Sequence, residues 1–290
     1  MIRHFIVALR PKQWSKNLIL FGPLIFSLNL TDLGLLARAG AAFALFCAVS
    51  GAVYLMNDVV DREQDRQHPI KRLRPVASGA LSPLPASIGA LILGAAAVAA
   101  AFFMDVLFGI FMLSYVVNNL LYSYVLKHVV IIDVGSIAAG FVLRVLAGAA
   151  VINVDASPWL VMCTILLAAF LGFAKRRHEL LLLAGAEEDH RRVLLEYNEQ
   201  LLDQMILISA ASTVMSYALY TVSERVSESF GTTNLIYTVP FVLYGLFRYL
   251  YLVHVRNSGG NPSKVLLNDA PLMVCILLWL AACCAIVYGS

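Results

Sequence analysis

The chain has 290 residues, of which 60% are apolar and only 13% charged, with a formal net charge of +3. Soluble domains carry about 25% charged residues, so a mean hydropathy of +0.80 excludes an ordinary soluble protein and identifies an integral membrane one. The small positive balance gives no reason to expect a nucleic-acid partner.

Taken in order, the apolar runs predict nine spans of the ~20 residues a bilayer requires. They fall near 16–32, 35–56, 84–103, 105–125, 130–152, 158–175, 203–222, 234–252 and 271–288. Residues 1–13 read as a short amphipathic segment at the surface, with Arg3, Arg10 and Lys12 near headgroups. The expected fold class is therefore all-α: a polytopic bundle of nine transmembrane helices forming one domain over 1–290. Counting the N-terminus with the loops after even-numbered spans puts 18 of the 21 Lys and Arg on one membrane side, the exceptions being Arg38, Arg144 and Arg225. The positive-inside rule then places those loops and the N-terminus in the cytoplasm, in a plasma membrane, and leaves Ser290 outside. The five cysteines lie in apolar runs without Cys-x-x-Cys spacing, which predicts packing rather than disulfides or zinc.

One polar stretch, residues 57–79 (NDVVDREQDRQHPIKRLRPVASG), follows the second span. On a helix Asp58 and Asp65 point the same way and Asp61 lies roughly 60° off. Tyr54 and Asn57 fall on the same broad face. Three carboxylates and an amide oxygen suit a hard cation, Mg²⁺, shared with a phosphorylated substrate. The basic half, with Lys71, Arg72 and Arg74, suits the remaining phosphate charge. The alternative is a solvated loop held by acid–base pairs.

Further candidates occupy the same membrane side. Residues 10–17 (RPKQWSKN) lead into the first span, where Trp14 and Lys16 read either as interfacial anchors or as a substrate edge. Lys127 and His128 form a short turn between spans four and five. Arg144 lies well inside a span, about 20° in phase and roughly 16 Å along the axis from Asp133. An intramembrane Arg faces a polar cavity or pairs with another helix, and Gly135, Gly140 and Gly148 allow close packing nearby. At the end of span six stand Lys175, Arg176, Arg177, His178 and Glu179, where Lys175 and Glu179 are i,i+4 neighbours. The polar residues 185–200 after them read as a cytoplasmic helix capping the site.

Nine spans with Asn57-Asp58-x-x-Asp61-x-x-x-Asp65 after the second resemble the UbiA superfamily of intramembrane prenyltransferases. Ordinary members carry a second Asp-x-x-x-Asp after span six, where this chain has Lys175-x-x-x-Glu179. That departure, with residues 10–17, 68–75, 126–128, Arg144-x-x-Ala147-Gly148 and Lys175-Arg176-x-x-Glu179, is similar to the decaprenyl-phosphate phosphoribosyltransferase branch. The resemblance implies a cytoplasmic active site and Mg²⁺-dependent transfer of 5-phosphoribose from phosphoribosyl diphosphate to a polyprenyl phosphate, with inversion at C1. It implies Asn57 and Asp61 on Mg²⁺, with Asp58 and Asp65 as inner- or outer-shell support and the three aspartates as the catalytic residues. Tyr54, Asn17, Arg72, Arg74, Arg176 and Glu179 would line the substrates. Lys16, Lys71 and Lys175 would meet donor phosphates, and Lys127 and Arg144 the lipid phosphate. The alternatives are an aromatic or quinone-pathway prenyltransferase and a transporter or lipid-binding protein. Small-residue runs such as 94–97 are compatible with a homo-oligomer.

Overall fold

The computed structural model describes all residues except 1, 68, 69, 184–193, 195, 257, 261 and 290. The expected capping helix over 185–200 lies largely outside the described residues. The described chain is all-helical and separates into two compact units.

The first unit comprises residues 1–124 and 143–156. It opens with α1 (Ile2–Ala8), a 3₁₀ helix over Pro11–Phe21 and α2 (Gly22–Phe26). The long helix α3 (Leu33–Val60) begins where the Asp32 side chain accepts hydrogen bonds from the Gly34 and Leu35 amides, satisfying two otherwise orphaned donors. Then come α4 (Arg62–Gln67), α5 (Pro83–Met104) and α6 (Val106–Tyr124). Helix α3 packs on α5 and α5 on α6, around Leu20, Phe46, Phe108, Met112 and Tyr115. Helix α7 (Ile132–Val151) gives its later residues to this unit and its earlier ones to the second.

The second unit comprises residues 125–142 and 157–290. It contains α8 (Pro158–Leu183), α9 (Glu199–Thr221), α10 (Glu224–Phe230), α11 (Val239–His254), α12 (Pro262–Asn268) and α13 (Ala270–Tyr288). Helix α8 packs on α9 and α11 on α13. Their core includes Val134, Phe170, Leu202, Ile206 and Tyr249.

Among the described residues eight segments are long and apolar enough to cross a membrane. They match the second to ninth expected spans, and the protein is a multi-pass membrane protein. Its outward faces are as apolar as its core, with Phe103 93% and Leu33 78% exposed. Against lipid tails, close side-chain packing rather than removal of apolar surface from water holds such helices together.

The expected first span is the exception. Residues 16–32 do not form one membrane-length α-helix but the end of the Pro11–Phe21 3₁₀ helix, then α2. Pro11 starts this stretch, and Arg10 before it takes a left-handed φ of 53°. The segment then lies directly on α7. A Cβ at Gly148 would sit 2.1 Å from the Leu20 carbonyl oxygen, so only glycine admits the approach there. The N-terminal segment is also packed rather than merely laid on the surface. Ala8 is buried, and the Phe5 ring occupies the space a Cβ at Gly89 would need.

Candidate functional site

Within the first unit, α3 ends on the aspartate motif. The Asp61 amide caps the helix on the Asn57 carbonyl at 2.9 Å, and the Asp65 amide bonds the Asp61 carbonyl at 2.8 Å as α4 continues the spiral. The shared face expected for Asp58 and Asp65 is present in a specific form. One nitrogen of Arg74, Nη1, lies 3.1 Å from Asp58 Oδ1 and 2.5 Å from Asp65 Oδ2. Arg10 donates to the same Asp58 oxygen, and its guanidinium sits 5.0 Å over the Tyr54 ring. Both carboxylates are buried and compensated by arginine. Asn57 Oδ1 accepts a hydrogen bond from Ser123 Oγ at 2.8 Å, while Asp61 is half-buried.

Arg74, expected on substrate phosphate, is thus placed on the carboxylates. Lys71 is half-buried and Arg72 exposed on the 3₁₀ turn Lys71–Leu73. His68 and Pro69, part of the 68–75 segment, lie outside the described residues.

Among the described residues no three His, Cys, Asp or Glu side chains are grouped to hold a metal. The donor chemistry still fits Mg²⁺. Asn57 and Asp61 offer hard oxygens only, and Mg²⁺ is commonly held by one or two carboxylates with water and substrate phosphate completing its shell.

The second feature of this unit is cationic. Arg144 is buried, and its Nε donates to Asn17 Oδ1 at 2.7 Å and its Nη2 to the Tyr115 hydroxyl at 2.9 Å. The guanidinium carbon lies 4.4 Å from the Tyr115 ring centre. Asn17 is fully buried, and its amide nitrogen meets Cys47 Sγ and Ser50 Oγ. It therefore holds Arg144 rather than facing outward. Lys16 lies outside the eight membrane-length helices. Burial, then the Arg144 and Arg10 charges, bring its pKa down to about 8. Three cations gathered this closely form an anion-attracting locus. The Trp14 Nε1 donor is buried without a hydrogen-bond partner.

In the second unit, Lys127 is on the turn Leu126–His128 and Lys175 on α8, both half-buried. Lys175 Nζ lies 3.6 Å from Glu179 Oε1, the pairing that the spacing allowed. Arg176 turns inward. It is fully buried, its Nε is 2.5 Å from Asp133 Oδ2, and its Nη1 donates to Glu179. Tyr197 donates to the other Asp133 oxygen at 2.9 Å. Next to it, Arg177 is held by Glu199 and Asp203 of α9, each at 2.5 Å. The carboxylate that replaces the expected second acid pair is thus neutralised by two cations.

Ser123, Tyr115 and Tyr197 contribute contacts that their surrounding sequence did not single out. Arg10 was expected near headgroups, and nothing in its spacing pointed to Asp58, 48 positions away. Tyr115 and Ser123 read as ordinary residues of an apolar span.

The UbiA prenyltransferase family model matches residues 19–268. A decaprenyl-phosphate phosphoribosyltransferase of Corynebacterium glutamicum is 33% identical, covering 98% of this chain and 86% of that protein. One of Mycobacterium tuberculosis is 30% identical, with 97% and 93% covered. A UbiA homolog from Archaeoglobus fulgidus, solved with GPP and Mg²⁺, superposes with a TM-score of 0.73 at 19% identity, over 98% and 99% of the two chains. The chain belongs to the UbiA prenyltransferase family.

Proposed function

We propose that this protein transfers 5-phosphoribose from phosphoribosyl diphosphate to a polyprenyl phosphate, decaprenyl phosphate being the acceptor named for its relatives. A lipid phosphate oxygen attacks ribose C1, the C1–oxygen bond to diphosphate breaks, and diphosphate departs with the bonding electrons. The observation that carries this reading is the Lys175–Glu179 pair standing where a prenyl-diphosphate enzyme has its second acid pair, with Glu179 further engaged by Arg176. Such a wall suits anionic substrates better than a second metal.

On the first unit, Asn57 and Asp61 would hold Mg²⁺, which would neutralise diphosphate charge. Asp58 and Asp65 support the motif through Arg10 and Arg74. Tyr54, Lys16 and Lys71 line the donor, and Arg144 receives the lipid phosphate. On the second unit Lys127 and Lys175 meet substrate phosphates. A phosphate monoester has its second pKa near ~6, so the acceptor arrives ionised and needs no dedicated base. Catalysis is then positioning and charge stabilisation. The distribution of Lys and Arg supports a cytoplasmic position for these groups, in a plasma membrane.

Membranes containing the protein, given labelled phosphoribosyl diphosphate and decaprenyl phosphate, should yield labelled lipid. Label moving instead from a prenyl diphosphate onto an aromatic acid would replace this reading with prenyl transfer.

A further inference from the structure

Tyr197 is buried, 4% exposed, just before the Asn198 cap of α9. Its hydroxyl has two partners. It accepts the Ile131 amide hydrogen at 2.6 Å and donates to Asp133 Oδ1 at 2.9 Å. The second Asp133 oxygen takes Arg176 Nε, and Arg176 in turn holds Glu179. One hydroxyl is therefore the common post for two stretches: the turn through residues 126–131 that carries Lys127, and the turn of α8 that carries Lys175 and Glu179. The backbone at the first contact is unusual. Ile131 has φ 69°, a left-handed conformation that β-branched residues rarely adopt. Its side chain is 49% exposed, so packing of that side chain does not impose it, whereas the Tyr197 bond fixes its amide. Strain retained in this way marks a place where geometry is being held for a purpose. Burial first, with Asp133 also contributing, pushes the phenol up to about 12, so it stays protonated as a donor to Asp133.

We infer that Tyr197 is a positioning residue for phosphate binding, setting the Lys127 turn directly and the Lys175–Glu179 turn through Asp133 and Arg176. This rests on the reading that Lys127 and Lys175 meet substrate phosphates. Removing the hydroxyl lets Ile131 relax out of its left-handed conformation and frees one Asp133 oxygen. Both lysines then lose their placement in the ground state and the transition state alike, which raises KM more than it lowers kcat.

The test uses the whole chain in lipid nanodiscs, titrated with phosphoribosyl diphosphate, with inorganic pyrophosphate and with decaprenyl phosphate. Tyr197→Phe should weaken binding of all three about tenfold and change kcat less than threefold. Adding Ile131→Gly, which adopts φ near 70° without strain, should recover at least threefold of the loss. Tyr197→Phe should add little to Lys127→Ala in a double-mutant cycle. Unchanged binding in Tyr197→Phe, with Lys127→Ala and Lys175→Ala weakened, overturns the inference and leaves the proposed function standing. If both lysine variants bind normally, the phosphate reading falls and the positioning role with it. Should Tyr197→Phe not fold, amide exchange in the unaltered protein decides. Pyrophosphate should slow exchange over 126–133 and 175–179 together, and protection of one stretch alone overturns the coupling.

Discussion

Asn17 and Arg144 are 127 positions apart and meet in a 2.7 Å hydrogen bond from the guanidinium Nε to the amide oxygen. Both are buried, and Asn17 has no exposed surface. Asn17 therefore acts by aiming Arg144. Asn17→Ala should cost about 1–3 kcal/mol of stability by leaving a buried charged donor without its acceptor, and should raise the KM for the lipid phosphate. Arg144→Lys keeps the charge but loses the planar fork, and should weaken acceptor use while leaving donor binding nearly intact. Thermal melting and separate donor and acceptor titrations check this. Loss of donor binding with lipid binding spared would assign Arg144 to the donor instead.

The Arg74 bridge separates two kinds of aspartate. Asp61→Asn should abolish Mn²⁺ binding, read by electron paramagnetic resonance, and with it activity at saturating donor. Asp65→Asn should leave Mn²⁺ affinity within about threefold but lower the melting temperature, because Arg74 loses one of its two carboxylates. Full activity in Asp61→Asn would remove the metal assignment and leave the fold untouched.

Lys16 supplies a pH dependence. Its pKa of about 8 in the fold lies below the ordinary 10.5. Between those values the unfolded chain holds more protons on this amine, so stability should rise with pH across that window. Anion binding has the opposite sign. A bound phosphate restores the proton, so donor binding should take up a proton near pH 8 and weaken above it. Calorimetry in buffers of different ionisation heat measures the uptake, and Lys16→Arg should eliminate it. Binding without uptake in the unaltered protein would place Lys16 away from the anion.

Asp133 and Arg176 form an ion pair with both side chains fully buried. Asp133→Asn should destabilise by about 3–5 kcal/mol, since it leaves a buried guanidinium short of its partner. Asp133→Leu combined with Arg176→Met should be less damaging than Asp133→Asn alone. Denaturation in mixed micelles compares them, and a double variant worse than the single one would contradict a purely pairwise role.

The eight long helices were legible because runs of about 20 apolar residues have no other use at this composition. Their ends matched the sequence within about four residues, as for Ala270–Tyr288, except that Pro158–Leu182 runs seven residues past the expected end at 175. The first expected span differs in form, a 3₁₀ helix running into α2 rather than one long α-helix, because hydropathy carries no information on rise per residue. Pro11 and the bare surface at Gly148 decide that segment, and both act through backbone geometry. The aspartate face was legible from spacing alone. Its pairing with Arg74 was not, because the turn through residues 74–81 chooses which of several arginines folds back. The run Lys175, Arg176, Arg177 shows the same limit. Adjacent helical positions differ by about 100°, so the three cannot share one face, but only the distant acids decide which turn inward: Asp133 holds Arg176, and Glu199 with Asp203 holds Arg177, both of them buried. Tyr197 gave no signal, since its partners are a backbone amide and an acid 64 positions earlier.

Phosphoribosyl transfer is tested by following two labels in one donor. Phosphoribosyl diphosphate labelled on the ribose 5-phosphate and, separately, on the diphosphate is given to purified protein with decaprenyl phosphate and Mg²⁺. The account predicts that the 5-phosphate label enters the lipid fraction while the diphosphate label appears, one for one, as free diphosphate. Diphosphate label in the lipid, or no transfer of either label from a folded, metal-loaded protein, would contradict it.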